Sequence, residues 1–81
     1  MKQDTYKTKV VFLLEYNLEI FAFFPATPEG NGLYMCYDSV GQHSKSTLMY
    51  DRECQPATPE QYEPLKRELE GLGYNLEVTN L

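Results

Sequence analysis

Apolar positions fall into a few dense blocks, and the spacing inside each block predicts an element. Thr8-Lys9-Val10-Val11-Phe12-Leu13-Leu14, inside Lys7 to Glu15, is rich in strand formers. Tyr16-Asn17 follows as a turn, because Asn tolerates the left-handed backbone of a tight hairpin. Leu18 to Phe24 reads as the second strand, ended by Pro25, which has no ladder donor. Both strands are apolar at odd and even positions alike. Val10, Phe12 and Leu14 point one way, and Val11 and Leu13 the other. Ile20, Ala22 and Phe24 likewise oppose Phe21 and Phe23. A sheet covered on both faces carries that pattern.

Ala26 to Gly32 is a loop by composition, and Leu33 to Asp38 a third strand. Ser39 to Ser44 reads as a turn. Ser46 to Cys54 fits a strand alternation only loosely and is expected as a short helix or irregular turn.

The clearest local chemistry lies at Pro56 to Tyr62. Thr58 serves as a helix cap, Pro59 takes the first helical position, and Gln61 completes a capping box. Tyr62, Leu65, Leu69 and Leu72 then share one face of a helix from Pro59 to about Leu72. Pro64 conflicts with that helix, since it removes a hydrogen bond beyond the first turn. Gly71 or Gly73 supplies the stop. Tyr74 to Val78 alternates as an edge strand, with Tyr74, Leu76 and Val78 inward.

The order is β-β-β-(α)-α-β. It predicts one small α+β domain over residues 1–81, with residues 1–6 frayed. A three-stranded antiparallel meander comes first, then a short irregular or helical element. One main helix packs on one sheet face, and the last strand returns beside the others. One helix covers one face. The sequence therefore predicts a second apolar face in water, made by Phe21, Phe23, Val11 and Leu13, as a candidate interaction surface. Its expected occupant is a second copy of the chain or another protein.

At 81 residues the chain buries only about 60% of the surface its unfolded form exposes. Seven Tyr and four Phe supply dense packing to offset that. The net charge of −5 disfavours nucleic-acid binding, and the tyrosines lack the interleaved basic residues of an RNA-binding sheet. No stretch reaches the length of a membrane span, and no secretory signal precedes the first strand. A cytoplasmic protein with reduced Cys36 and Cys54 is expected, and no cofactor is implied.

Val40-Gly41-Gln42-His43-Ser44, Pro56-Ala57-Thr58-Pro59-Glu60-Gln61-Tyr62 and Leu65-Lys66-Arg67-Glu68-Leu69 through Gly73-Tyr74-Asn75-Leu76 carry a resemblance. The chain resembles a family of small uncharacterised bacterial proteins of integrated mobile elements such as conjugative transposons and prophages. It departs from the usual pattern at Pro64 and at Tyr16-Asn17. The resemblance implies a cytoplasmic accessory protein and carries no catalytic residues.

Chemistry is sparse. His43 is the only histidine, and Gly41, Gln42 and His43 form a candidate functional turn. The expected role of the ring is structural, bonding a backbone carbonyl to pin that turn. Asp38, Asp51, Cys36 and Cys54 match a catalytic partner in type only. A Cys36/His43/Cys54 zinc site lacks a Cys-x-x-Cys pair and a fourth ligand. The leading expectation is a non-enzymatic protein-interaction module. The alternatives are a nucleic-acid accessory factor or a small enzyme or metal protein around His43.

Overall fold

The computed structural model describes residues 7–15, 19–39 and 41–80. The Tyr16-Asn17 turn and residues 1–6 lie outside the described residues. Eight elements follow in order: β1 (Thr8–Leu14), β2 (Ile20–Gly30), β3 (Leu33–Asp38), β4 (His43–Thr47), α1 (Leu48–Glu53), β5 (Gln55–Pro56), α2 (Pro59–Gly71) and β6 (Leu76–Val78). The class is α+β. Among the described residues, β1 to β4 form an antiparallel meander, in the order β4-β3-β2-β1.

The two-sided pattern of the first strands has its expected consequence. Val10, Phe12, Ala22, Phe24 and Tyr37 are buried on one face beneath Leu65 and Leu69 of α2. Tyr62 stacks on Phe12 with ring centroids 4.3 Å apart, and Tyr74 on Phe24 at 5.4 Å. Val11, Leu13, Phe21, Phe23 and Cys36 are buried on the other face.

That second face corrects the expectation of an open apolar surface. Phe21 is 3% exposed and Phe23 0%, with Val11 and Leu13 equally closed. Cover comes from β3 itself and from the chain that follows it. Tyr34 packs edge-on against Phe23, Tyr50 of α1 lies against Phe21, and Cys54 packs on the same cluster. Residues 44–54 had too few apolar positions to announce this role.

The β1 edge away from β2 is closed twice. Thr8 and Val10 bond to the segment around β6, and the Phe12 carbonyl accepts from Ala57 just after β5. β6 runs parallel to β1 and β5 antiparallel to it. The last strand is shorter than predicted, and Val78 is 40% exposed where an inward side chain was expected.

Pro25 does not end β2. The β1 ladder stops at Val11↔Phe23, so the absent donor falls where β1 no longer pairs. β2 continues beside β3 through a register shift between Phe23 and Pro28. Only Asn31-Gly32 separates Gly30 from its partner Leu33, rather than the seven-residue loop expected from composition. Asn31 (φ 54°) and Gly32 (φ 75°) both take the positive φ that a two-residue type I′ hairpin demands.

The main helix starts as its sequence dictates. Thr58 Oγ1 accepts from the Gln61 N–H at 3.2 Å, and Gln61 Oε1 from the Thr58 N–H at 2.8 Å. Gly73 (φ 110°) makes the stop, with the Gly73 N–H on the Glu70 carbonyl and the Tyr74 N–H on that of Leu69. Leu72 is 57% exposed instead of joining the buried stripe, because it already sits in the cap.

Candidate functional site

β4 and the turn before it place the most polar chemistry of the fold. His43-Ser44-Lys45-Ser46-Thr47 is a strand with little apolar content, held by its ladder to β3. Gly41 enters it at φ 86°, and its N–H donates to the Asp38 carbonyl. His43 is therefore the first residue of a strand, not part of the turn. Its pairing with Tyr37 puts His43, Lys45 and Thr47 on the α2 side of the sheet. Ser44 and Ser46 share the opposite side with Cys36 and Tyr34.

On the α2 side, His43 Nε2 lies 3.1 Å from Tyr74 Oη, and its ring meets Tyr37 edge-on at 4.9 Å. This side-chain partner replaces the backbone carbonyl expected for the ring. Tyr37 Oη donates to Glu68 of α2 at 2.5 Å, and that acceptor raises the Tyr37 pKa. A β-carbon on Gly41 would stand 3.5 Å from Glu68 Oε2 and 3.8 Å from Tyr37 Oη, so the turn lies beside this pair at ordinary contact distance. His43, Leu72, Gly73 and Tyr74 line a shallow groove of about 370 Å³.

On the opposite side, Asp51 of α1 is completely buried. Ser46 Oγ lies 2.8 Å from both of its carboxylate oxygens. Cys36 Sγ is 2.9 Å from Ser46 Oγ. Ser46 Oγ thus links the Cys36 thiol and the Asp51 carboxylate in one chain, and the thiol also lies 3.8 Å from the Tyr34 carbonyl. Burial pushes the Cys36 thiol up to about 12. The Ser46 contact works against that, and the carboxylates of Asp51, Asp38 and Glu15 add to it. Burial also raises Cys54 and Asp51. Both thiols are thus protonated at neutral pH and poor nucleophiles.

A cleft of about 370 Å³ opens beside this chain, lined by Val11, Leu13, Asp51, Arg52, Cys54, Pro56 and Asn80. Two residues of the expected interaction face, Val11 and Leu13, form part of its wall. Phe21 and Phe23 lie deeper in the same cluster. The cleft has a thiol and a carboxylate but no activated nucleophile. Asp51 is buried against Ser46, and Cys54 keeps its proton.

The other candidates separate in space. Cys36 and His43 point to opposite faces, since Tyr37, not Cys36, is the partner of His43. A Cys36/His43/Cys54 metal site is thereby excluded by register. Among the described residues no cluster of three His, Cys, Asp or Glu side chains could hold a metal ion. Lys66 and Arg67 are paired with Glu70 and Glu63 along α2, each four residues away on the same helix face. Among the described residues no helix is long and apolar enough to cross a membrane.

The backbone of β4 carries a further feature. The Asp38 N–H donates to the Gln42 carbonyl at 2.8 Å. In an antiparallel ladder such pairs alternate, so 36/44 and 34/46 also exchange bonds. His43 and Lys45 then turn their N–H and C=O groups outward, and Thr47 its N–H, while the Thr47 carbonyl serves the first turn of α1. Among the described residues nothing pairs that edge. Sequence reasoning missed the strand because its residues are polar. The alternation of His43, Lys45 and Thr47 with Ser44 and Ser46 was the available signal. Asp51 was marked by residue type alone, and nothing local marked Tyr37 or Glu68.

Comparison with protein-family models, curated proteins and solved structures gives no match.

Proposed function

We propose that this protein is a non-enzymatic interaction module that captures an extended segment of a protein partner by adding it as a strand to β4. The observation that carries the reading is the unequal treatment of the sheet edges. β5 and β6 close β1. The arm of β2 beyond Phe23 carries Pro25 and Pro28, which offer no donors. Among the described residues β4 keeps the longest such edge, five residues against two and three for the outer edges of β5 and β6, with a groove beside it at His43, Leu72, Gly73 and Tyr74. Strand addition draws affinity from such main-chain groups and specificity from neighbouring side-chain pockets.

Burial of Phe21 and Phe23 removes the motive for a dimer through the sheet face. A symmetric pairing of two β4 edges centred on Lys45 would set Lys45 against Lys45, which is unfavourable. A heterologous partner fits better. A cytoplasmic accessory role, as the resemblance to small mobile-element proteins implies, belongs to the same proposal. The protonated thiols and the hydrogen-bonded Asp51 weigh against the enzyme reading.

Lys45→Pro tests the proposal. It deletes an outward donor and spares the β3 ladder, which the Lys45 N–H does not join. Random heptapeptides displayed on phage and selected on the immobilised protein should yield extended sequences. These should bind the variant about tenfold more weakly or worse, the loss of one to two hydrogen bonds in a dry contact. Selected peptides indifferent to Lys45→Pro would overturn it.

A further inference from the structure

We infer that the segment captured by β4 is basic at alternate positions, with Lys or Arg on the Ser44/Ser46 side and apolar residues on the His43 side. This inference rests on strand addition at β4 and adds the chemistry of the occupant.

A strand laid beside β4 must alternate its side chains between the same two faces. The faces differ in charge. On the Ser44/Ser46 side, Asp38 Oδ1 accepts from Ser44 Oγ at 3.2 Å and is half-buried next to the edge. Asp51 stands behind Ser46. Among the described residues neither carboxylate has an ion-pair partner, because the salt bridges there lie along α2. The Cys36 thiol beneath the two serines feels Asp51, Asp38 and Glu15 together. Asp51 is buried behind Ser46, but Ser44 is too short to shield the half-buried Asp38. A Lys or Arg opposite them passes its stem over the serine and brings its cation to Asp38.

On the α2 side the groove beside His43 is bordered mainly by apolar groups, with Glu29 farther along near Lys45. Leu72 is 57% exposed, and with Gly73 and Tyr74 it borders the groove beside His43. Lys45 stands on this side and disfavours a cation opposite it. The whole chain, at −5, also steers a basic segment towards itself.

Two capped heptapeptides separate the possibilities: alternating Lys and Val, and alternating Glu and Val, each titrated by fluorescence anisotropy against the full chain at 150 mM salt. The Lys peptide should bind about tenfold tighter than the Glu peptide, from several cross-strand charge pairs acting together. Asp38→Asn, which keeps the acceptor for Ser44, should narrow that ratio several-fold. Lys45→Pro should abolish binding of the Lys peptide. A Lys peptide methylated on its outward backbone nitrogens keeps the charge and loses the pairing donors. It should fail on the unaltered protein, and it carries the test if the proline variant does not fold. Equal or reversed preference, with binding still lost in Lys45→Pro, overturns the basic occupant and leaves strand addition standing. Binding of the Lys peptide that survives both Lys45→Pro and backbone methylation overturns both, as does no binding of either peptide at millimolar concentration.

Discussion

Asp51 is the residue at which this fold makes its least favourable choice. A carboxylate with no exposure and a single hydroxyl partner keeps a charge that burial penalises. Desolvation raises its pKa above the ordinary carboxylate value, and the Ser46 hydrogen bond offsets only part of that. A raised folded pKa means the native state holds its proton more tightly than the unfolded chain. The contribution of Asp51 to stability is therefore greatest at low pH and falls as pH climbs from the ordinary value of 3.8 through the raised one. Asp51→Asn removes this dependence. The amide's own buried N–H groups add an offset that is the same at every pH. The readout is the difference in unfolding free energy between variant and parent, from urea titrations at several pH values. It should shift in favour of the variant as pH rises from about 4 and stay level above the native pKa. A difference that is flat across the range would show that Asp51 titrates normally. The thiol beside it tells the same physical story, since Cys36 lies in an apolar cluster with negative neighbours and is pushed up to about 12.

At the scale of elements, α2 is the best-specified piece and contains the plainest defect. The Thr58–Gln61 capping box and the Gly73 stop satisfy orphan donors and acceptors at both ends. Pro64 sits six residues in, and its missing N–H leaves the Glu60 carbonyl without its helical donor. Glu60 is exposed, so water takes that carbonyl and the cost stays below the ~3 kcal/mol of a buried helix interior. Pro64→Ala should stabilise the protein by about 1–2 kcal/mol after allowing for the freer unfolded chain. Thermal unfolding followed by circular dichroism should show a midpoint higher by several degrees, and an unchanged or lower midpoint would mean that Pro64 holds α2 against the sheet. The elements readable from sequence were those whose cause is local. Capping chemistry fixed α2, and two-sided apolar runs fixed β1 and the first half of β2. Where the cause lies elsewhere in the chain, reading failed. β4 is a strand because β3 offers it a ladder, not because Ser44, Lys45 and Ser46 prefer one. β2 passes Pro25 because β1 has already let go. Phe21 and Phe23 looked exposed because their cover comes from separated residues, Tyr34, Tyr50 and Cys54, that form no apolar stripe. The candidate turn at Gly41, Gln42 and His43 was found, but its Tyr37–Glu68 and Tyr74 supports are long-range contacts.

For the whole molecule the governing fact is how the sheet ends. A sheet edge with free donors and acceptors pairs with whatever extended chain it meets, including its own copies. Here β1 is closed by β5 and β6, the β2 arm is lined with prolines, and β4 is open. What opposes self-pairing at β4 is Lys45, which has no ion-pair partner among the described residues. Two edges meeting antiparallel about Lys45 would bring the ammonium groups together, and the −5 net charge of each copy adds a longer-range repulsion. The same lysine leaves the edge free for a foreign strand that sets no cation against it. The wild-type chain should therefore be monomeric at micromolar concentration by size-exclusion chromatography with light scattering. Lys45→Val should keep the fold, because the side chain is exposed and the ladder to β3 is untouched. It should associate in a concentration-dependent manner, with amide-exchange protection appearing at His43, residue 45 and Thr47 and at no other strand. Association that protects a different edge, or a variant as monomeric as the parent at tenfold higher concentration, would mean that charge at Lys45 is not what keeps β4 available.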